Sequence, residues 1–357
     1  MTKPLLIART QITVPDVGAA IVALCDYYAL YDCEVIRHDD VAIIRLSTGQ
    51  GELRTENGML SVTVSSRTDT DLAYMKAGLI AILGELVPTA DLAVTWRGDG
   101  ATGGKLPNFR ELQVGSITDL SASMRRIRFT GVDIGCYDGG AIHVRLLLPP
   151  PGSTAPRWPY LAENGAPVWP DGPDAAIPRV YTIRRMDAQA GWLDVDFVLH
   201  GDNGPGSTFA MGAAPGDLVG MTGPLGTALP DAEWYLLAGD ETALPAIGRF
   251  LEELPETARG MAVIAVDGPD DMIELATKSA IDINWVQRSQ AAGDTDVLFE
   301  AVRDITLPLD RHRVFCWAGV EQATFRALRG LWREDIGLDR DQCLAATFWR
   351  HTGRDAA

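Results

Sequence analysis

The rhythm of apolar and polar positions changes twice along the chain and divides it into three parts. Over 17–30 and 71–86 apolar residues recur at helical spacing. Shorter runs at 34–37 (Glu-Val-Ile-Arg), 41–46 (Val-Ala-Ile-Ile-Arg-Leu) and 60–64 (Leu-Ser-Val-Thr-Val) predict strands, so residues 1–95 form a small α+β domain. The run Gly-Asp-Gly-Ala-Thr-Gly-Gly at 98–104 is a linker by composition. Residues 105–228 then carry strands at 123–130, 141–148, around Tyr181, at 192–199 and at 217–222. These are punctuated by Gly and Pro with no long helix between them, the pattern of an antiparallel Greek-key β-barrel. Within this part, 149–178 is rich in Pro and Gly, holds Trp158, Tyr160 and Trp169, and reads as a long loop of the kind used for lids and binding edges. In 229–357, strands at 234–238, 261–266, 283–286 and 313–318 alternate with helical stretches near 244–253, 269–279, 294–303 and 321–335. That order predicts an α/β domain with a parallel sheet, helices on both faces and a ligand crevice at the strands' carboxyl ends.

Composition narrows the class. The 357 residues are 46% hydrophobic with no stretch of about eighteen apolar residues, so no membrane span is expected. The first ten residues lack a secretory apolar core, and the expected location is the cytoplasm. Cysteines at 25, 33, 136, 316 and 343 form no CxxC pair and are odd in number, which predicts buried free thiols rather than disulfides or a zinc site. A formal charge of −17 repels nucleic acid and acidic lipid surfaces. An anionic substrate therefore needs a local basic pocket.

Candidate chemistry begins at Arg179-Val-Tyr181-Thr182-Ile-Arg184. An arginine can face a pyrophosphate, a tyrosine ring can lie on an isoalloxazine, and a threonine hydroxyl can reach flavin N5. Strand alternation puts Arg179, Tyr181 and Ile183 on one face and Thr182 and Arg184 on the other. Taken alone, the hexapeptide suits an ordinary antiparallel strand equally well. Downstream, the glycine-rich turn at 199–210 opens a short helix around Gly206, Ser207 and Thr208, where backbone amides and the positive helix end would hold a pyrophosphate. After the first strand of the α/β part, Gly239-Asp240-Glu241-Thr242-Ala-Leu-Pro245 lacks the GxGxxG form. Gly239 still gives a tight turn, Thr242 can cap the helix and offer a hydroxyl to phosphate, and Pro245 fits the first turn. A nicotinamide dinucleotide is a plausible occupant. Trp317-Ala-Gly319-Val-Glu321 places small residues and a glutamate where a nicotinamide would approach a flavin, although a core strand followed by a capped helix accounts for it too.

With these pieces in order, the chain from about 107 onward resembles the siderophore-interacting proteins, FAD-dependent ferric-siderophore reductases similar to the ferredoxin-NADP reductase superfamily. The resemblance rests on Ala-Ile-His-Val-Arg-Leu at 141–146, Leu-Ala-Glu-Asn-Gly-Ala-Pro-Val-Trp-Pro at 161–170, the hexapeptide at 179–184, His-Gly-Asp-Asn-Gly-Pro-Gly-Ser-Thr-Phe-Ala at 200–210, the turn at 239–245 and Phe-Trp-Arg at 348–350. It implies a barrel that binds FAD and an α/β domain that binds NAD(P)H. Arg179, Tyr181, Thr182 and Arg184 would then contact the flavin, with His200, Gly206, Ser207 and Thr208 around its pyrophosphate. It also implies that Arg145, at a position usually lysine, and Arg350 face an anionic ferric siderophore. The chain departs from the family at Phe209, where tryptophan is expected, at Phe348, where tyrosine is usual, and at Val320, which interrupts an Ala-Gly-Glu run. Residues 1 to about 90 resemble a small domain of unknown function found alone or ahead of such proteins, with its usual histidines replaced by Asp26-Tyr27-Tyr28 and Asp32-Cys33.

The expected reaction is hydride transfer from NAD(P)H to flavin, followed by single-electron reduction of Fe(III), with Thr182 tuning N5 and Tyr181 shielding the ring. Asp267, after the second α/β strand, favours NADH by accepting from a ribose diol, while Arg288 could reach a 2′-phosphate. Two rivals remain at this level: a siderophore-binding protein without reductase activity, and a flavin reductase serving ferredoxin or another protein.

Overall fold

The computed structural model describes residues 4–30, 33–38, 41–46, 48–90, 94–100, 104–138, 140–153, 155–162, 167–199, 204–226, 228–290 and 296–350. It divides into two compact units, one of Met1–Phe109 with Arg157–Ala175, the other of Arg110–Pro156 with Ala176–Ala357. No described helix is long and apolar enough to cross a membrane.

In the first unit a six-stranded sheet has its strands in the order Glu34–His38, Val41–Leu46, Gly49–Glu56, Met59–Ser66, Leu6–Ile12, Arg97–Gly98. Helices Val17–Leu30 and Asp69–Leu86 bury Leu24, Leu72, Leu79 and Leu83 in one core with Ala8, Ile12, Leu53, Leu60, Val62 and Val64. Three of these strands, Leu6–Ile12, Gly49–Glu56 and the two-residue Arg97–Gly98, lie outside the sequence reading. Leu6–Ile12 alternates cleanly in burial, whereas Gly49–Glu56 is polar and glycine-rich. The long loop is also less irregular than its composition implies. Tyr160–Leu161 pairs with Pro167–Val168 and with Gly104–Lys105, and Trp158 leans on Phe109 at 5.6 Å.

The second unit holds a seven-stranded barrel sheet and a five-stranded sheet. Barrel order is Ile177–Thr182, His143–Leu148, Leu218–Leu225, Phe109–Asp119, Met124–Thr130, Trp192–Val198, Arg185–Asp187. The two ends of this list are consecutive in the chain. Ile177–Thr182 pairs with His143–Leu148, then the Ile183 amide donates to the Ile142 carbonyl and the Arg184 amide to the Asp194 carbonyl, both at 2.8 Å. Ile183 and Arg184 are thus the seam at which the barrel closes. There the alternation predicted for the hexapeptide fails, because Thr182, Ile183 and Arg184 are all buried. Asp194 and Asp196 are buried as well, each held by two hydrogen bonds from the arginine directly opposite, Arg128 and Arg126.

All pairings of the five-stranded sheet are parallel, in the order Ala280–Gln287, Arg259–Val266, Trp234–Gly239, Val314–Glu321, Cys343–Trp349. In order of appearance this is 3-2-1-4-5, a doubly wound sheet whose direction reverses between Trp234–Gly239 and Val314–Glu321. Helix Leu244–Glu253 packs on one face, and Val297–Arg303 with Gln322–Gly330 on the other. Two elements differ from expectation. The helix expected at 269–279 is a single 3-10 turn, Pro269–Asp271, and Met272, Ile273 and Leu275 pack against the core from irregular chain. Cys343–Trp349 form a fifth strand beyond the four expected. Cys25, Cys316 and Cys343 are buried free thiols as expected, whereas Cys33 is half-buried and Cys136 exposed.

Candidate functional site

The barrel seam carries the first half of the site. Tyr181 packs its ring 4.4 Å from Phe197, which in turn meets Phe209 at 5.9 Å. Burial pushes the Tyr181 phenol well above its ordinary range, so it stays protonated. Its hydroxyl sits against Gly206 so closely that a Cβ there would fall 1.9 Å from the oxygen. Gly206 lies in the first turn of helix Pro205–Gly212, whose N-cap, Gly204, has no side chain to occupy the helix's positive end. The tyrosine strand and the glycine turn therefore meet, with Ser207 buried and Thr208 half-buried beside them. Arg179 is exposed, and its guanidinium donates to the Pro178 carbonyl at 2.8 Å. His200 and the rest of the turn through 203 lie outside the described residues. An aromatic face, an uncapped helix start cleared by glycine and an exposed arginine suit the ring and pyrophosphate of a flavin dinucleotide.

Arg184 is not presented with these groups. Its buried guanidinium makes two 2.8 Å hydrogen bonds to Glu252 on helix Leu244–Glu253. Arg185 joins the same carboxylate, and the Arg184 guanidinium first, then Arg185, hold Glu252 down to about 2. Beside this clamp, Arg249 donates to the Ile183 carbonyl at 2.8 Å. Both contacts tie the helix after Gly239 to the seam.

The switch point of the parallel sheet carries the second half. Gly239, at the end of Trp234–Gly239, is the register partner of Gly319 on the adjacent strand Val314–Glu321. A Cβ on Gly239 would strike Ala243 at 2.4 Å, and one on Gly319 would strike the Phe348 ring at 2.7 Å. Asp240, buried, organises the turn, accepting from the Thr242 amide and hydroxyl at 2.9 and 2.5 Å and from the Trp349 indole at 2.7 Å. Thr242 therefore does not cap the helix, whose N-cap is Ala243. Trp317 is core, edge-on to Phe250 and Phe348, and Glu321 caps helix Gln322–Gly330. Both follow the plain reading of that segment. Asp267 is exposed and paired through one oxygen with Arg288 at 2.7 Å.

His143 joins the two halves. Its Nδ1 lies 3.2 Å from the Thr182 hydroxyl, and its ring stands edge-on to Phe348 with centroids 5.5 Å apart. Burial, then the nearby Arg249 cation, lower its pKa to about 4 against a weaker pull from the Tyr181 carbonyl, so the imidazole is neutral at pH 7. The His143–Phe348 contact also brings together the segments bearing Arg145 and Arg350, each two residues away. Arg145 lies on the His143 and Thr182 side of its strand. Sequence reasoning passed over His143, Arg249 and Glu252 as working residues. His143 was visible as a polar residue two positions from Arg145, whereas nothing in a helical run marks Arg249 as reaching another sheet. Among the described residues, no cluster of His, Cys, Asp and Glu could hold a metal.

Comparison with known proteins matches two segments of the chain. The family model described as siderophore-interacting FAD-binding domain matches residues 113–228, and the model described as siderophore-interacting protein matches 232–352. The ferric vibriobactin reductase ViuB of Vibrio cholerae is 28% identical over 242 residues, covering 67% of this chain and 88% of ViuB. Among solved structures, the siderophore-interacting protein SipS from Aeromonas hydrophila is 34% identical with a TM-score of 0.59, covering 69% of this chain and 92% of SipS. A siderophore utilization protein from T. fusca is 35% identical with a TM-score of 0.56, covering 68% of this chain and 93% of that protein.

Proposed function

Because the chain belongs to the siderophore-interacting protein family, we propose that it is a flavoprotein oxidoreductase that passes electrons from a reduced nicotinamide nucleotide to a ferric siderophore. The observation that carries this reading is the His143 bridge, which sets the Tyr181–Thr182 seam directly against the Gly319–Phe348 edge of a doubly wound sheet. On this reading 105–228 form the FAD half and 229–357 the nucleotide half, with 1–95 a separate domain. Bound FAD supplies the conversion between a two-electron donor and a one-electron acceptor.

The protein's own groups hold, orient and shield. Arg179 and the start of helix Pro205–Gly212, with Gly206, Ser207, Thr208 and His200, would hold the pyrophosphate. Tyr181 would cover one face of the ring system, and the Thr182 hydroxyl, set by neutral His143, would meet N5. Gly239, Gly319 and the Asp240–Thr242 turn would admit the nicotinamide nucleotide at the switch point, where Phe348 now lies on Gly319. Asp267 favours NADH. No side-chain acid or base is required to free the iron, because hard siderophore ligands hold Fe(II) far more weakly than Fe(III). Arg145 and Arg350 would attract the anionic chelate against the protein's net charge of −17.

The test is spectroscopic. Protein reconstituted with FAD should be yellow, bleach anaerobically on addition of NADH, and regain its colour when a ferric siderophore is added, with Fe(II) trapped by a ferrous chelator. Failure to take up FAD would falsify the reading.

A further inference from the structure

Three strands of the parallel sheet deliver charge to one place. Glu241 follows Trp234–Gly239, Asp267 follows Arg259–Val266, and Arg288 follows Ala280–Gln287, so the three residues leave the carboxyl ends of neighbouring strands. Arg288 bridges the two carboxylates, through Nη2 to Glu241 Oε1 and through Nε to Asp267 Oδ1 at 2.7 Å. The same Glu241 oxygen accepts the Asp267 backbone amide at 3.1 Å, which locks the ends of the first two strands together. Glu241 is buried, with its side chain 10% exposed, whereas that of Asp267 is 75% exposed. Burial raises the Glu241 pKa, and Arg288 opposes that rise.

We infer that Glu241, Arg288 and Asp267 form a charge gate that selects NADH over NADPH, with the buried Glu241 as its controlling residue. This rests on the proposal that a nicotinamide nucleotide occupies the switch-point crevice. In a doubly wound sheet the adenosine ribose lies at the end of the second strand, where Asp267 stands. Two carboxylates against one guanidinium leave a local charge of −1 when all three are ionised. A 2′-phosphate would bring a dianion to that spot and find the arginine already engaged. A ribose diol needs only an acceptor, and the outer oxygen of Asp267 supplies one. Arg288 taken alone looks like a phosphate ligand; Glu241 reverses that meaning by neutralising it from the buried side.

The test uses the full chain with FAD and the variants E241Q, E241Q/D267N and R288A, each checked for wild-type circular dichroism. Two readouts are compared: the NADPH/NADH ratio of kcat/KM for flavin reduction, and calorimetric binding of 2′,5′-ADP against 5′-AMP, which isolates the phosphate. The expected ratio rises about tenfold for E241Q and about a hundredfold for the double variant, the scale of one and two partly screened charges. The preference for 2′,5′-ADP should rise in parallel, while R288A leaves NADH as the better donor. An unchanged ratio in the double variant with NADH activity intact overturns the gate alone. A selective loss of NADPH activity in R288A also overturns it, because Arg288 would then be the phosphate ligand. Wild-type flavin that neither nucleotide reduces, but dithionite does, overturns the nucleotide reading and the gate with it.

Discussion

Gly206 and His143 show how single residues set this site. Gly206 is a glycine because the Tyr181 hydroxyl occupies the space a Cβ would take. Alanine there must displace the tyrosine ring, an overpacking cost of about 1–3 kcal/mol. The G206A protein should bind FAD about tenfold more weakly. Adding Y181F removes the offending oxygen, leaves Cζ as the nearest ring atom at 3.2 Å, and should restore most of the affinity. Fluorescence titration of apoprotein reads both. For His143 the folded pKa of about 4 lies below the ordinary 6.5, so between those values the unfolded chain binds more protons than the folded one. Stability therefore rises with pH across this window and is lost as pH falls from 6.5 to 4, by at most roughly 3 kcal/mol. Urea unfolding at pH 7 and pH 4.5 should show a larger loss in the wild type than in H143Q, which cannot take the proton. The types and order of candidate site residues were legible in the sequence, because a strand followed by a glycine turn leaves a local signature. Long-range partnerships were not. The withdrawal of Arg184 onto Glu252 and the capture of Thr242 by Asp240 depend on groups 68 and 2 residues away, and only the distant one needed the fold to be seen.

At the scale of elements, helix Leu244–Glu253 is the piece that registers the parallel sheet on the barrel. Arg184, with its side chain 5% exposed, relies on Glu252, and Arg249 relies on the Ile183 carbonyl. Removing one partner of such a pair strands a buried charge, while replacing both by apolar groups can be nearly neutral. E252Q should therefore destabilise the protein by about 3 kcal/mol, and R184M/E252L should return to within about 1 kcal/mol of wild type. Thermal or denaturant unfolding of R184M, E252L and R184M/E252L gives the coupling directly. The same elements show where sequence pattern suffices. Parallel strands buried on both faces, such as Arg259–Val266, announce themselves as apolar runs, and the doubly wound half was readable from them. Gly49–Glu56 was not, since its place in the sheet comes from backbone pairing to Val41–Leu46 and Met59–Ser66 rather than from its own polar side chains. At 269–279 helical spacing of apolar residues was real, but Met272, Ile273 and Leu275 reach the same core from irregular chain after the Pro269–Asp271 turn.

For the whole molecule the governing quantity is a charge of −17 on a protein proposed to receive an anionic chelate. Two fields of opposite sign act on such a substrate. The summed surface charge repels it from afar, and this repulsion is screened beyond about 10 Å at 0.1 M salt. Arg145 and Arg350, on segments joined by the His143–Phe348 contact, would on the proposed reading attract it at close range, where salt screens less. Added salt thus weakens both, and in the wild type the two changes should largely cancel. Reversing the arginines removes the attraction and leaves repulsion alone. With a ferric catecholate, R145E/R350E should lose roughly tenfold or more in kcat/KM at low salt and recover much of it by about 0.5 M. With a neutral ferric hydroxamate neither protein should respond, because neither field acts on an uncharged chelate. Steady-state rates across a salt series with both chelates read the outcome. Equal salt responses of wild type and variant toward the catecholate would place the iron substrate elsewhere than beside these two arginines.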